Sequence, residues 1–174
     1  MANARFSIAP AYYTGSEVTP EVTVTHSGKT LVKDRDFTVT YHNNIEPSSY
    51  YNSPWVGIDG IGNYQGYVTK SFTINRADIS SCTVTLSDES LTYTGSSLRP
   101  TATVKSGDKE LTLNQDYYVS YRNNWDAGTA SAILTGTGNY TGSVTKDFTI
   151  KPLDINRYSA SLSQYSYTSD GTEK

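Results

Sequence analysis

Asp36-Phe37-Thr38-Val39-Thr40-Tyr41-His42-Asn43-Asn44 returns eighty residues later as Asp116-Tyr117-Tyr118-Val119-Ser120-Tyr121-Arg122-Asn123-Asn124. In both stretches the apolar residues stand two apart with Thr, Ser or another polar-tipped side chain between them. Period two is a strand with one buried and one wet face; a helix would need apolar residues at i, i+3 and i+4. An acid opens each stretch and an Asn-Asn pair closes it, and both are turn formers. The segment therefore reads as one strand of a sheet, present twice.

The repetition extends in both directions. Toward the N-terminus the same shift of 80 carries Tyr13-Thr14-Gly15-Ser16 to Tyr93-Thr94-Gly95-Ser96, Pro20 to Pro100, Lys29 to Lys109 and Leu31 to Leu111. Toward the C-terminus the shift becomes 76: Gly60, Gly62, Asn63, Tyr64 and Gly66 reappear as Gly136, Gly138, Asn139, Tyr140 and Gly142. Val68-Thr69-Lys70 and Phe72-Thr73-Ile74 recur as Val144-Thr145-Lys146 and Phe148-Thr149-Ile150. The first copy thus holds four more residues than the second between Asn44 and the glycine corner. A third copy begins with Asp154-Ile155, Leu162 and Tyr165-Ser166-Tyr167-Thr168, matching Asp78-Ile79, Leu86 and Leu91-Thr92-Tyr93-Thr94. An internal period of this length signals a repeat architecture. The expected units are residues 5–76, 77–152 and the truncated start of a third at 153–174, and the chain reads as a piece of a longer tandem array.

Further alternation occurs at Val22 and Val24, at Ala102 and Val104, and at Ala130, Ala132 and Leu134. Turn signals at Ser27-Gly28, Gly107-Asp108 and the two Gly-x-Gly-Asn corners separate the strands. Six or seven short strands per copy predict an all-β fold: two tandem immunoglobulin-like β-sandwich modules without the Cys pair, plus the start of a third repeat. Tyr13/Tyr93, Tyr41/Tyr121 and Tyr64/Tyr140 recur in register and read as structural, each ring filling the sandwich while its hydroxyl reaches a backbone partner. Asp36 and Asp116 read as acceptors of turn N–H groups.

Composition narrows the function classes. Of 174 residues only 36% are hydrophobic with fifteen tyrosines in the total, against ~45–50% apolar in an ordinary globular chain. Fourteen basic and seventeen acidic residues give −3, too balanced for a binder of nucleic acid or anionic membrane. No apolar run long enough for a membrane insertion is expected. Met1-Ala2-Asn3-Ala4-Arg5 has no apolar segment of a signal peptide behind it.

Candidate chemistry is sparse, and neither an enzyme nor a cofactor or metal is expected. Cys82 has no repeated histidine to pair with, since Ser106 and Arg122 replace His26 and His42; it reads as a small apolar filler. Asp34-x-Asp36 lacks the later ligands of a calcium loop. Asn139-Tyr140-Thr141 fits a glycosylation sequon but reads as turn chemistry. Lys70 and Lys146 stand between apolar neighbours in a phase that could face inward, the arrangement that a lysine–asparagine isopeptide needs, with Asn44/Asn124 as partners and Asp36/Asp116 as proton shuttle. Solvent-facing strand lysines are the ordinary alternative. The copies differ most after the Asn-Asn pair, where Tyr50, Tyr51 and Trp55 in the first and Trp125 in the second make candidate ligand-binding residues on loops 45–55 and 125–129.

The succession Tyr-Thr-Gly, Pro, Asp-(Phe/Tyr)-x-Val-x-Tyr-x-Asn-Asn, Gly-x-Gly-Asn-Tyr-x-Gly and Val-Thr-Lys-x-Phe-x-Ile resembles the tandem repeats of large Gram-positive cell-surface or secreted proteins, the bacterial immunoglobulin-like and MBG-type domains. The resemblance runs from Phe6 to Ile150. It implies an extracellular, cell-surface or cell-wall location and a non-enzymatic stalk or spacer in an adhesin-like array. Its partners would be neighbouring repeats of the same chain, with the chain otherwise monomeric. The alternative is a module binding carbohydrate or a host or matrix protein through the aromatic loops.

Overall fold

Threonine, valine and tyrosine in strict alternation favour extended backbone, and extended backbone must find partners for its N–H and C=O groups in neighbouring strands. The structure, a computed structural model, describes residues 4–163, 165, 166, 168, 169 and 171. Gln164, Tyr167, Asp170 and residues 172–174 of the expected third copy lie outside them. The fold is all-β, with several open sheets and, among the described residues, only two single 3₁₀ turns.

Before Arg76 the strands are β1 (Ala4–Ile8), β2 (Ala11–Tyr12), β3 (Val22–His26), β4 (Lys29–Thr30), β5 (Phe37–His42), β6 (Trp55–Gly60), β7 (Tyr67–Ser71) and β8 (Ile74–Asn75). After it come β9 (Ala77–Asp78), β10 (Thr83–Leu86), β11 (Ser90–Thr92), β12 (Ala102–Ser106), β13 (Lys109–Glu110), β14 (Tyr117–Arg122), β15 (Gly128–Gly136), β16 (Tyr140–Thr141) and β17 (Ser143–Lys151). The pairing repeats as the sequence does. Antiparallel sheets β1-β3-β4 and β10-β12-β13 correspond, as do β5-β6-β7 and β14-β15-β17. A short parallel strand, β11 on β17, completes the sheet of the second set, and its counterpart β2 pairs with β8 as a separate two-stranded sheet. The two sheets of each set share a core, consistent with a β-sandwich. Val24, Leu31, Phe37, Val56 and Ile58 fill the first. Their counterparts Val104, Leu111, Tyr117, Ala132 and Leu134 fill the second.

The sets differ where the first is longer. Pro54 stands at the position of Ala130, which pairs with Phe148 inside β15. Proline has no N–H to give a ladder, so β6 starts only after it. The longer loop folds back instead: Ser48 N–H donates to Ile74 O at 2.9 Å, and Ile74 N–H donates to Ser48 Oγ at 3.0 Å. The strand that runs unbroken as β17 is consequently split into β7 and β8.

Repeated side chains make repeated bonds. The Asp36 carboxylate accepts Val32 N–H and that of Asp116 accepts Thr112 N–H, both at 2.8 Å. Tyr41 Oη donates to Pro20 O at 2.5 Å and Tyr121 Oη to Pro100 O at 2.6 Å. Asn44 and Asn124 donate their side-chain amides to Val18 O and Leu98 O. At the glycine corners Ile61 N–H reaches Asp36 O, and Thr137 N–H reaches Asp116 O. Glycine is required there: a Cβ on Gly136 would stand 2.8 Å from the backbone of Thr141, and Gly138 has φ +60°.

Candidate functional site

The four aromatic residues singled out from the loops occupy different surroundings. Tyr50 and Tyr51 are 93% and 94% exposed and touch each other edge-on, ring centroids 5.0 Å apart. Their loop is fixed from behind by Asn52, whose side-chain amide donates to Glu46 O at 2.8 Å. Trp125 is 55% exposed in the second set. Trp55 is half-buried on β6, its indole stacked at 3.9 Å and 13° on the imidazole of His42, its cross-strand partner. The ring contacts join Tyr50 to Tyr51 and Trp55 to His42.

Lys70 and Lys146 do lie opposite core residues in register, Lys70 across from Val56 and Lys146 across from Ala132. Both are nevertheless exposed. The Lys70 ammonium sits 5.2 Å from the centre of the Phe6 ring at the rim, and its alkyl stem covers apolar surface while the charge stays wet. The inward-facing reading is thereby corrected. The side-chain amides that a crosslink would consume, Asn44 and Asn124, are bonded to backbone carbonyls instead. Asp36 faces Arg35, 2.8 Å away. That guanidinium, with the Val32 N–H, holds its carboxyl at about 2, far below the range of a proton shuttle.

No nucleophile is assembled at Cys82. Burial pushes its thiol up, away from the thiolate that reactivity requires. His26 leans on Tyr64 at 6.0 Å, and His42 is occupied by Trp55. Among the described residues no group of three or more His, Cys, Asp or Glu side chains could hold a metal ion. None of the described helices is long and apolar enough to cross a membrane.

Two arrangements were not read from the sequence. The first is a junction between the strand sets. Ala11, Tyr13 and Ile74 of the first share one buried cluster with Ile79, Val104 and Tyr140 of the second. Tyr13 meets Tyr140 edge-on at 5.7 Å, and Lys109 Nζ donates to Tyr13 Oη at 3.4 Å. That bond raises the Lys109 pKa. Asn139 Nδ2 donates to Glu46 Oε2 at 2.7 Å on the same seam, so the longer first loop also braces the second set.

The second is the outward face of β5-β6-β7. The registers place His42, Trp55 and Ser71 in one row, Thr40, Gly57 and Thr69 in the next, and Thr38, Asp59 and Tyr67 in the third. Tyr67 does not stand upright. It reaches back along the sheet and covers Gly57: a Cβ there would lie 2.4 Å from Tyr67 Oη and 2.9 Å from its ring. A comparison of the copies at outward positions would have found this face, because Ser131, Ile133 and Ser143 replace Trp55, Gly57 and Tyr67.

No family model matches the chain, and neither a curated protein nor a solved structure matches it.

Proposed function

We propose that the chain is a non-enzymatic spacer, two tandem immunoglobulin-like β-sandwich modules with the start of a third, in an array displayed outside a bacterial cell. The observation that carries this reading is the junction. Tyr13, Tyr140 and Lys109 join buried apolar surface to a hydrogen bond, and such a seam fixes two units in one orientation where a bare linker would leave them swinging. A stiff joint between like units is what a stalk needs, and repeat arrays gain stability from contact between neighbours. The surface location and the neighbouring repeats as partners rest on the resemblance of the motifs. Small-angle scattering on the isolated chain tests the reading. A spacer gives one extended envelope that is unchanged between low and high salt; a profile that shortens or broadens with salt contradicts it.

The exposure of Tyr50 and Tyr51 favours a second reading, a module that binds carbohydrate or a host protein through loops 45–55 and 125–129. Replacing Trp55 and Trp125 by Ala and testing a glycan and matrix-protein array separates the two. Binding lost in the double variant supports the module, and no binding by either form leaves the spacer.

A further inference from the structure

We infer that the outward face of β5-β6-β7 is a binding platform for a neutral, β-linked pyranose chain. This lies apart from the spacer reading, since a stalk keeps its role with the face bare or occupied, and it moves the carbohydrate site of the second reading from the loops to the strand face.

Each aromatic contact has an ordinary structural use. A cross-strand pair such as His42–Trp55 stabilises a sheet, and a ring over a glycine shields exposed backbone. Those uses do not account for the combination. Trp55 is held against His42 on one side; on the other its row continues to Ser71, too small to cover the second indole face. Gly57 is two residues further along the same strand, about 7 Å, and there the Tyr67 ring lies on the sheet. The Tyr67 ring thus fills the space over Gly57, on the strand that also carries Trp55, and any side chain at position 57 would displace it.

The rest of the face suits a polyhydroxylated partner. Thr38, Thr40 and Thr69 are exposed hydroxyls around the rings, and the Asp59 carboxylate beside Tyr67 is an exposed acceptor. A pyranose with equatorial hydroxyls offers the match: apolar C–H faces to stack on the rings and a rim of O–H groups to hydrogen-bond. The face carries no lysine or arginine, and Asp59 would repel a phosphate or sulfate group. The second strand set has Ser131, Ile133 and Ser143 in the places of Trp55, Gly57 and Tyr67, so it has neither ring. The platform therefore belongs to the first set alone.

The chain's two tryptophans make the test direct. In Trp125→Phe protein, Trp55 is the only indole, and its emission is followed during titration with cellohexaose and, separately, chitohexaose. The expected result is a saturable change with at least one oligomer, weakened about tenfold by Tyr67→Ala. Thr69→Lys, an exposed change that leaves Gly57 covered, is expected to weaken it likewise. Tyr50→Ala with Tyr51→Ala is expected to leave it intact. The proposal is overturned if neither oligomer changes the emission, if the change survives both face variants, or if it disappears only in the Tyr50/Tyr51 variant. That last outcome assigns the binding to the loop.

Discussion

The ring of Tyr13 meets the ring of Tyr140 edge-on, 5.7 Å between centroids and 89° between planes, across the boundary of two strand sets that repeat one another. Tyr140 is 1% exposed, so this contact is part of a core and not a surface touch. Lys109 closes it from above through Tyr13 Oη. Two units that share a core in this way should melt together.

Removing that contact should separate them. Tyr140→Ala deletes a buried aromatic and is expected to cost about 3–5 kcal/mol. Tyr13→Ala removes the ring that the first set contributes to the shared cluster and is expected to split a single calorimetric transition into two. A single sharp transition in Tyr13→Ala would show that the halves stay coupled without this contact, against the account.

The junction should be sensitive to alkali. The hydrogen bond to Tyr13 raises Lys109 above its ordinary 10.5, and burial raises Tyr140 above 10.0. Both groups favour their protonated forms when folded. Their contribution is therefore full below pH 10 and is lost as the pH climbs through the folded values. Thermal melts across that range should show the loss, and Lys109→Met should flatten the part due to the lysine.

At the acid end the sign reverses. Asp36 is held at about 2, below its ordinary 3.8, by Arg35 and the Val32 N–H. Its contribution is present above pH 4 and is lost as the pH falls toward 2. Asp36→Asn should remove this portion of the acid dependence, measured by denaturant midpoints across the window. An unchanged acid limb would show that other carboxyls govern it.

The paired tyrosine hydroxyls offer an internal control. Tyr41→Phe and Tyr121→Phe each leave a proline carbonyl without its donor, Pro20 O in one case and Pro100 O in the other. Each change is expected to cost about 1 kcal/mol, and the two should add because they share no partner. Urea unfolding of the single and double variants measures this.

Much of this structure was legible in the sequence because it rests on local chemistry repeated in register. Asp36 and Asp116 precede strands and cap turns, the Tyr41 and Tyr121 hydroxyls find backbone while that of Tyr13 meets Lys109 instead, and the glycine corners take positive φ at Gly62 and Gly138. Contacts between distant segments were not legible. Nothing in a one-dimensional pattern brings Lys109 to Tyr13 or Asn139 to Glu46, since each pair is fixed by how one strand set sits on the other. Lys70 shows a different limit. Its period-two phase reads inward, and by register it is opposite Val56, but at a sheet rim a long side chain can leave the core and place its charge over Phe6 in water. Tyr67 hid for another reason: its register partner is Asp59, and it covers Gly57 only because its side chain reaches back along the sheet.

The third copy supplies a contrast in one residue. Asp154 caps the turn Ile155–Arg157 as Asp78 caps Ile79–Ser81, each carboxylate accepting an N–H at 2.9 Å. Yet Ile79 is 0% exposed and Ile155 is 80% exposed. Ile79→Ala should cost about 2–5 kcal/mol, whereas Ile155→Ala should stay within about 0.5 kcal/mol, both read from denaturant midpoints.

Residual dipolar couplings of backbone N–H groups, collected on both strand sets in one dilute aligning medium, probe the joint between the units without altering a residue. If Tyr13, Tyr140 and Lys109 fix the orientation, a single alignment tensor fits residues 4–75 and 77–151 together. Two tensors of different magnitude would mean that the units move independently, and the account of a rigid junction would be wrong.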